Sequence, residues 1–141
     1  MSTQELTETD RFVRNLENDA DFRTHTEWYD GSICLRNGDD VLWLKVYRGR
    51  IVEALDHEPP FGSVVTIAAS GEVWRRVSAG ELIFTDAIAA GSRHLVSYED
   101  ANAEGGGYRT PEVVISGNQF EAGRIHIALR ALYNVYARSF A

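Results

Sequence analysis

The chain has 141 residues, of which 44% are hydrophobic and 25% charged, values that suit one globular domain with its own core (residues 1–141) and exclude a disordered chain. A formal charge of −7 excludes a nucleic-acid binder that works by neutralising phosphates, and it repels the molecule as a whole from anionic membranes. No run reaches the ~18 apolar residues of a membrane span, so no stable membrane insertion is expected.

In chain order, residues 1–30 hold eight acids against three arginines, a pattern expected of a solvated first element. "MSTQELTETD" lacks the basic flank and apolar stretch of a signal peptide, and residues 1–9 are expected to be a flexible N-terminus. "TETDRFVRNLENDADFRTH" places Phe12, Val13, Leu16 and Ala20 at helical spacing, which predicts one surface helix capped by Thr7 or Thr9.

"GSICLRNGDDVLWLKVYRGRIVEALDHE" predicts three antiparallel strands, over 31–36, 40–47 and 50–57. Asn37-Gly38 suits a type I′ turn, and Arg48-Gly49 is a second, weaker turn signal. Cys34, the single cysteine, reads as a small apolar strand residue; the absence of a second cysteine rules out an internal disulfide and fits a cytoplasmic location. Pro59-Pro60 breaks the meander before a fourth strand, "SVVTIAAS".

A two-residue turn at Arg48-Gly49 sets Val46 opposite Ile51, Leu44 opposite Glu53 and Leu42 opposite Leu55. One face then carries Leu42, Leu44, Val46, Ile51 and Leu55, with Glu53 pointing among them. Two readings of Glu53 stay open: an edge carboxylate that reaches solvent or an arginine, or a polar anchor or acid/base group inside a cavity.

"SGEVWRRVSAGELIFTDAIAAG" contains two clipped helices, each ending on a glycine. Ser70 is the predicted cap of the first and Gly80 its terminator, with Val73, Trp74 and Val77 on one side. Thr85 is the predicted cap of the second, with Phe84 leading in and Ala87 and Ile88 inward. "SRHLVSYED" and "RTPEVVISG" read as strands flanking the glycine loop "EGGGY". "GNQFEAGRIHIALRALYNVYARSF" is the strongest helix. Asn118 and Glu121 give a capping-box-like start. Ile125, Leu129, Leu132 and Tyr136 form one apolar face, and Ile127, Ala131 and Val135 a second.

The order of elements, with "VVTIAASGEVWRRVSAGELIFTDAIAAG" (64–91) and "VVISGNQFEAGRIHIALRAL" (113–132), resembles the sterol carrier protein type-two-like (SCP2-like) lipid-binding family over roughly residues 10–138. Gly80-Glu81-Leu82, Gly91 and Gly117-Asn118 stand where that pattern places them. Residues 92–110 depart from it as an insertion with a glycine loop. The resemblance implies an α+β fold: an antiparallel sheet of about five strands covered on one face by an N-terminal, two short central and a C-terminal helix. It also implies an apolar cavity between sheet and helices for a sterol, fatty acyl compound or similar lipid, held by a carrier or presenting protein. The residues expected to line it are Leu42, Leu44, Val46, Ile51, Leu55, Val73, Trp74, Val77, Phe84, Ile88, Ile125, Leu129 and Leu132.

No phosphate loop, dinucleotide fingerprint or nucleophile elbow appears, no metal-ligand spacing links the four histidines, and no cofactor is expected. An acid/base enzyme of isomerase, hydratase or cyclase type acting in the same cavity is the alternative, with Glu53, His94, Tyr98 and Asp100 as candidate groups. An accessory subunit, docking its apolar helix face on a second copy or an enzyme partner, is the other.

Overall fold

The computed structural model describes residues 8–88 and 112–139. Six helices and five strands appear there: α1 (Glu8–Glu17), α2 (Ala20–Thr26), β1 (Asp30–Asn37), β2 (Asp40–Tyr47), β3 (Arg50–Leu55), β4 (Val65–Ala69), α3 (Gly71–Ser78), α4 (Phe84–Ala87), β5 (Val114–Gly117), α5 (Gln119–Arg124) and α6 (His126–Ser139). The five strands form one sheet in the order β3-β2-β1-β4-β5. The α+β class and strand number are as expected. The sheet is mixed, because β4 runs parallel to β1, with Ile33 beside Val65 and Leu35 beside Ile67.

That parallel pair follows from the loop over 56–64. To reach the far side of β1, the chain crosses the sheet face that carries no helices. Three contacts pin the crossing: Glu58 pairs with Arg36 at 2.7 Å, Trp43 Nε1 donates to the Gly62 carbonyl at 3.3 Å, and the Val64 N–H donates to Ser32 Oγ at 2.9 Å. Cys34 lies buried beneath the loop. Burial pushes its thiol pKa up, which keeps it an inert strand residue.

The turn at Arg48-Gly49 forms with positive φ at both residues, and Val46 stands opposite Ile51 as expected. The register then shifts. Lys45 pairs with Glu53, Leu44 with Ala54 and Trp43 with Leu55, which leaves Val52 as the extra residue of a β-bulge. The expected pairs Leu44–Glu53 and Leu42–Leu55 are therefore corrected. Glu53 and Leu55 lie on the loop-covered face, and Ala54 takes the place facing the helices. The physical reason is the burial cost of a carboxylate, which a one-residue bulge removes.

The N-terminal helix is two helices. Asp19 caps α2 by accepting from the Phe22 N–H at 3.0 Å, so the chain turns between two packed segments. Phe12, Leu16 and Phe22 are all fully buried, deeper than a surface stripe. Thr9 lies inside α1, and Thr7 lies outside the described residues. The last helix is also divided, at Ile125, into α5 and α6. α6 packs against α1, α2, α3 and α4, and it buries Ala128, Leu129, Ala131, Leu132, Tyr133, Val135 and Tyr136. Its two apolar sides therefore mean a central position beneath the other helices.

Candidate ligand site between the sheet and the helices

The helix-facing side of the sheet is built by strand alternation: Ile33 and Leu35 from β1, Leu42, Leu44 and Val46 from β2, and Val65 and Ile67 from β4, all buried. Against it stand Trp74 and Val77 of α3, Phe84 of α4, and Ile125, Leu129 and Leu132, with Val73, Ile88 and Ile51 half-buried at the margin. Of the residues expected to line the space, Leu55 alone is placed on the other face, by the bulge. Phe12, Leu16, Phe22, Ile33, Leu35, Tyr133 and Tyr136 join the cluster without having been singled out as lining residues. The period-two pattern of "SICLRN" carried the signal for Ile33 and Leu35.

Ser70 caps α3 as expected, its Oγ accepting from the Val73 N–H at 3.2 Å, and Gly80 turns the chain with φ +79°. The second short helix begins at Phe84, two residues earlier than a Thr85 cap would place it, so Thr85 is an internal residue and Ile83 stands at the cap without a side-chain bond. Phe84 thereby points inward while Ile83 stays exposed. Gly91 lies outside the described residues.

Aromatic rings fill the gap between the short helices and α6. Trp74 lies 4.8 Å from the Tyr136 ring and 5.6 Å from the Tyr133 ring, centroid to centroid, Phe84 lies 5.3 Å from Tyr133, and Phe12 lies 5.5 Å from Tyr136. Each polar tip in this group has a partner. Trp74 Nε1 donates to the Arg36 carbonyl at 2.9 Å, the Tyr133 hydroxyl donates to the Leu82 carbonyl at 2.6 Å, and Asn37 Nδ2 donates to Tyr136 Oη at 2.9 Å. Burial, with a smaller contribution from Glu112, pushes the Tyr133 pKa up to about 12. Burial also raises Tyr136, against the opposing effect of its Asn37 bond. At neutral pH these phenols are uncharged.

Two clefts open on either side of the Asn37–Tyr136 hydrogen bond, at the β1–β2 hairpin end of the sheet. One, of about 350 Å³, is walled by Trp74, Ser78, Ala79 and Gly71, with Arg75 alongside. The other, of about 880 Å³, has Leu35, Leu42 and Ala54 among its walls and Glu8, Asp10, Asp39, Asp40 and Asp56 around its rim. Both sizes fall in the range that takes a small ligand. The first has an apolar wall with a few polar groups, among them the Asn37 amide and the Arg75 guanidinium, suited to a molecule with an apolar body and one polar end.

The acid/base candidates do not meet there. Glu53 is exposed on the opposite face of the sheet, beside Lys45, and so is no inward carboxylate. His94, Tyr98 and Asp100 lie outside the described residues. Among the described residues no group of three or more His, Cys, Asp or Glu is placed to hold a metal ion. A carboxylate not singled out in the sequence, Glu112, pairs with Arg76 at 2.7 Å through one oxygen, and its other oxygen is buried with no hydrogen-bond partner among the described residues.

The layered arrangement of sheet, short helices and central α6 defines the class: an α+β domain with a mixed five-stranded sheet covered on one face by helices. Among solved structures, the chain is similar to a crystal structure of sterol carrier protein 2, with a TM-score of 0.59 and 16% identity over 93% of this chain and 94% of that one. It is equally similar to the solution structure of a conserved hypothetical protein from Thermus thermophilus, with a TM-score of 0.59 and 18% identity over 99% and 92% of the two chains. No family model and no curated protein matches the sequence. The chain thus has the SCP2-like fold over nearly its whole length.

Proposed function

We propose that the protein binds an apolar small molecule with one polar end, a sterol, fatty acyl compound or similar lipid, between its sheet and its helices, as a carrier or presenting protein. The observation that carries this reading is the apolar cleft where Trp74 and Tyr136 bring the aromatic interior to the surface beside Asn37 and Arg75. Behind it, Leu42, Leu44, Val46, Ile51, Val73, Val77, Phe84, Ile88, Ile125, Leu129 and Leu132 supply an apolar lining, and the likeness to a sterol carrier protein supports the same use of the space. The acid/base alternative has lost its inward carboxylate, since Glu53 faces the other way.

Three tryptophans make the test site-resolved. Trp74 stands at the cleft, Trp43 lies under the crossing loop, and Trp28 lies near α5. In single-tryptophan variants titrated with a fluorescent acyl or sterol probe, Trp74 emission is expected to change saturably and Trp43 emission to stay constant. Ala79→Phe, which fills the cleft, is expected to weaken binding about tenfold. A protein that carries no apolar molecule in native mass spectrometry, and whose Trp74 does not respond to either probe, would overturn the proposal.

A further inference from the structure

The face of the sheet turned away from the helices carries a cleft of its own, of about 500 Å³, between the strands and the crossing loop. Strand register sets its floor. Ser32 of β1 and Glu53 of β3 both stand opposite Lys45 of β2, so the three form one row across the sheet. Trp43 lies two residues along β2, on the same face. Phe61 of the loop forms the outer wall. It is 80% exposed, and its ring stands edge-on to Trp43 with 5.8 Å between the centroids. The Trp43 indole is held in place by its bond to the Gly62 carbonyl, at the base of this aromatic corner.

The charges in the cleft do not cancel. Lys45 stands opposite Glu53, yet its ammonium turns the other way, to Asp30 at 2.8 Å. Glu53 forms no ion pair among the described residues. One carboxylate is therefore left over, and the net charge of −7 adds to the negative potential around it. The bulge at Val52 places Glu53 on this face, and re-aiming a side chain is a common use of a bulge. Trp43 pairs with Leu55, which makes Glu53 its diagonal neighbour, with the two Cβ atoms roughly 7–8 Å apart. A cationic nitrogen fits between them, about 2.8 Å from the carboxylate and within about 6 Å of a ring centroid.

We propose that this cleft binds a small primary amine carrying a flat apolar group. The ammonium pairs with Glu53, and the flat group lies against Phe61 and Trp43. An anion of the same shape is rejected, because Lys45, the cation of the lining, is already paired with Asp30. The sheet separates this cleft from the one at Trp74 and Tyr136, so each can be filled without the other.

The test is isothermal titration calorimetry of the full chain with phenethylamine at neutral pH, alongside butylamine and 3-phenylpropionate. Phenethylamine is expected to bind saturably. Butylamine, which lacks the ring, should bind about fivefold more weakly, and 3-phenylpropionate, which reverses the charge, should give no saturable heat up to about 10 mM. Glu53→Gln, at an exposed site, should weaken phenethylamine at least tenfold while circular dichroism shows the fold intact. Phe61→Ser should weaken it about fivefold. Lys45→Gln, which frees Asp30, should tighten it about threefold. Asp39→Asn, at the other end of β1, should leave it within about twofold. No saturable binding of phenethylamine, or equal binding of all three compounds, overturns the proposal. So does a folded Glu53→Gln protein that binds like the wild type. Binding that survives Glu53→Gln and is lost in Asp39→Asn places the amine in the acidic cleft at the hairpin end, and the proposal is then wrong. Apolar ligand binding is read separately, at Trp74, so either proposal can fail alone.

Discussion

Gly117 stands where no side chain fits. Its φ is +98°, and a Cβ added there would collide with the Val64 carbonyl oxygen, the same oxygen that accepts from the Asn118 N–H at 2.8 Å. Gly117→Ala is therefore expected to lower stability by about 3 kcal/mol or more, read from the denaturant midpoint. Arg48 is the opposite case, a residue with a side chain where the backbone prefers none. Arg48→Asn should raise stability by about 1 kcal/mol in the same measurement. At Tyr133, removal of the hydroxyl leaves the Leu82 carbonyl without its buried donor, and Tyr133→Phe should cost about 1–2 kcal/mol. Gly117-Asn118 was legible in the sequence as a glycine before a helix cap. The Tyr133 bond was not, because its partner lies fifty-one positions away.

Among the elements, β3 shows most clearly how packing overrules a local pattern. It is an edge strand, exposed along Val52, Glu53 and Ala54, and the bulge at Val52 keeps Glu53 out of the core. The carboxylate of Glu17 reaches across from α1 and accepts from the Ile51 N–H at 2.9 Å, occupying one of the edge's donors. Deleting Val52 would remove the bulge and leave Glu53 beside Lys45 and Ala54 beside Leu44, so Glu53 would keep its outer position. The expected outcome is a folded protein in which Glu53→Leu changes stability by no more than about 0.5 kcal/mol, as at an exposed site. Circular dichroism and denaturant titration of the two variants check this. The short helices behaved as their caps foretold at Ser70 and Gly80. The boundary of α4 moved by two residues because the burial of Phe84 outweighs the capping preference of Thr85.

Across the whole molecule, three tyrosines, Tyr29, Tyr133 and Tyr136, are buried and hydrogen-bonded, and burial raises the pKa of each. The folded state therefore holds these protons more tightly than the unfolded chain does. Stability from this source is fully present below about pH 10, the ordinary phenol value, and is lost as pH rises toward and beyond about 12, the value for Tyr133. Alkaline unfolding should set in across that window, with phenolate absorbance appearing together with the loss of near-UV circular dichroism. Phenolate absorbance from all three tyrosines well below it, in a still folded protein, would contradict the burial.

What the sequence determined by itself was mostly local. Apolar periodicity marked the strands and helices, Ser70, Gly80 and Asn118 marked the helix ends, and their order was sufficient to point to the SCP2-like fold. Arg48-Gly49 marked its hairpin turn, whereas the first turn falls at Gly38-Asp39, one residue beyond the expected Asn37-Gly38, because Asn37 still pairs with Asp40. Strand parity and helix facing are short-range properties, so the sequence could place Leu42, Leu44, Val46 and Ile51 on the helix-facing side of the sheet. The tertiary structure decided what depends on distant partners. It set β4 parallel to β1, through a loop that had to cross the sheet. It moved Glu53 and Leu55 to the outer face, since a buried carboxylate costs more than a bulge. It also brought Arg124 against the Trp28 and Phe120 rings, although Trp28 is distant in the chain, because only the packing of sheet and helices fixes which turns and helix ends share a surface.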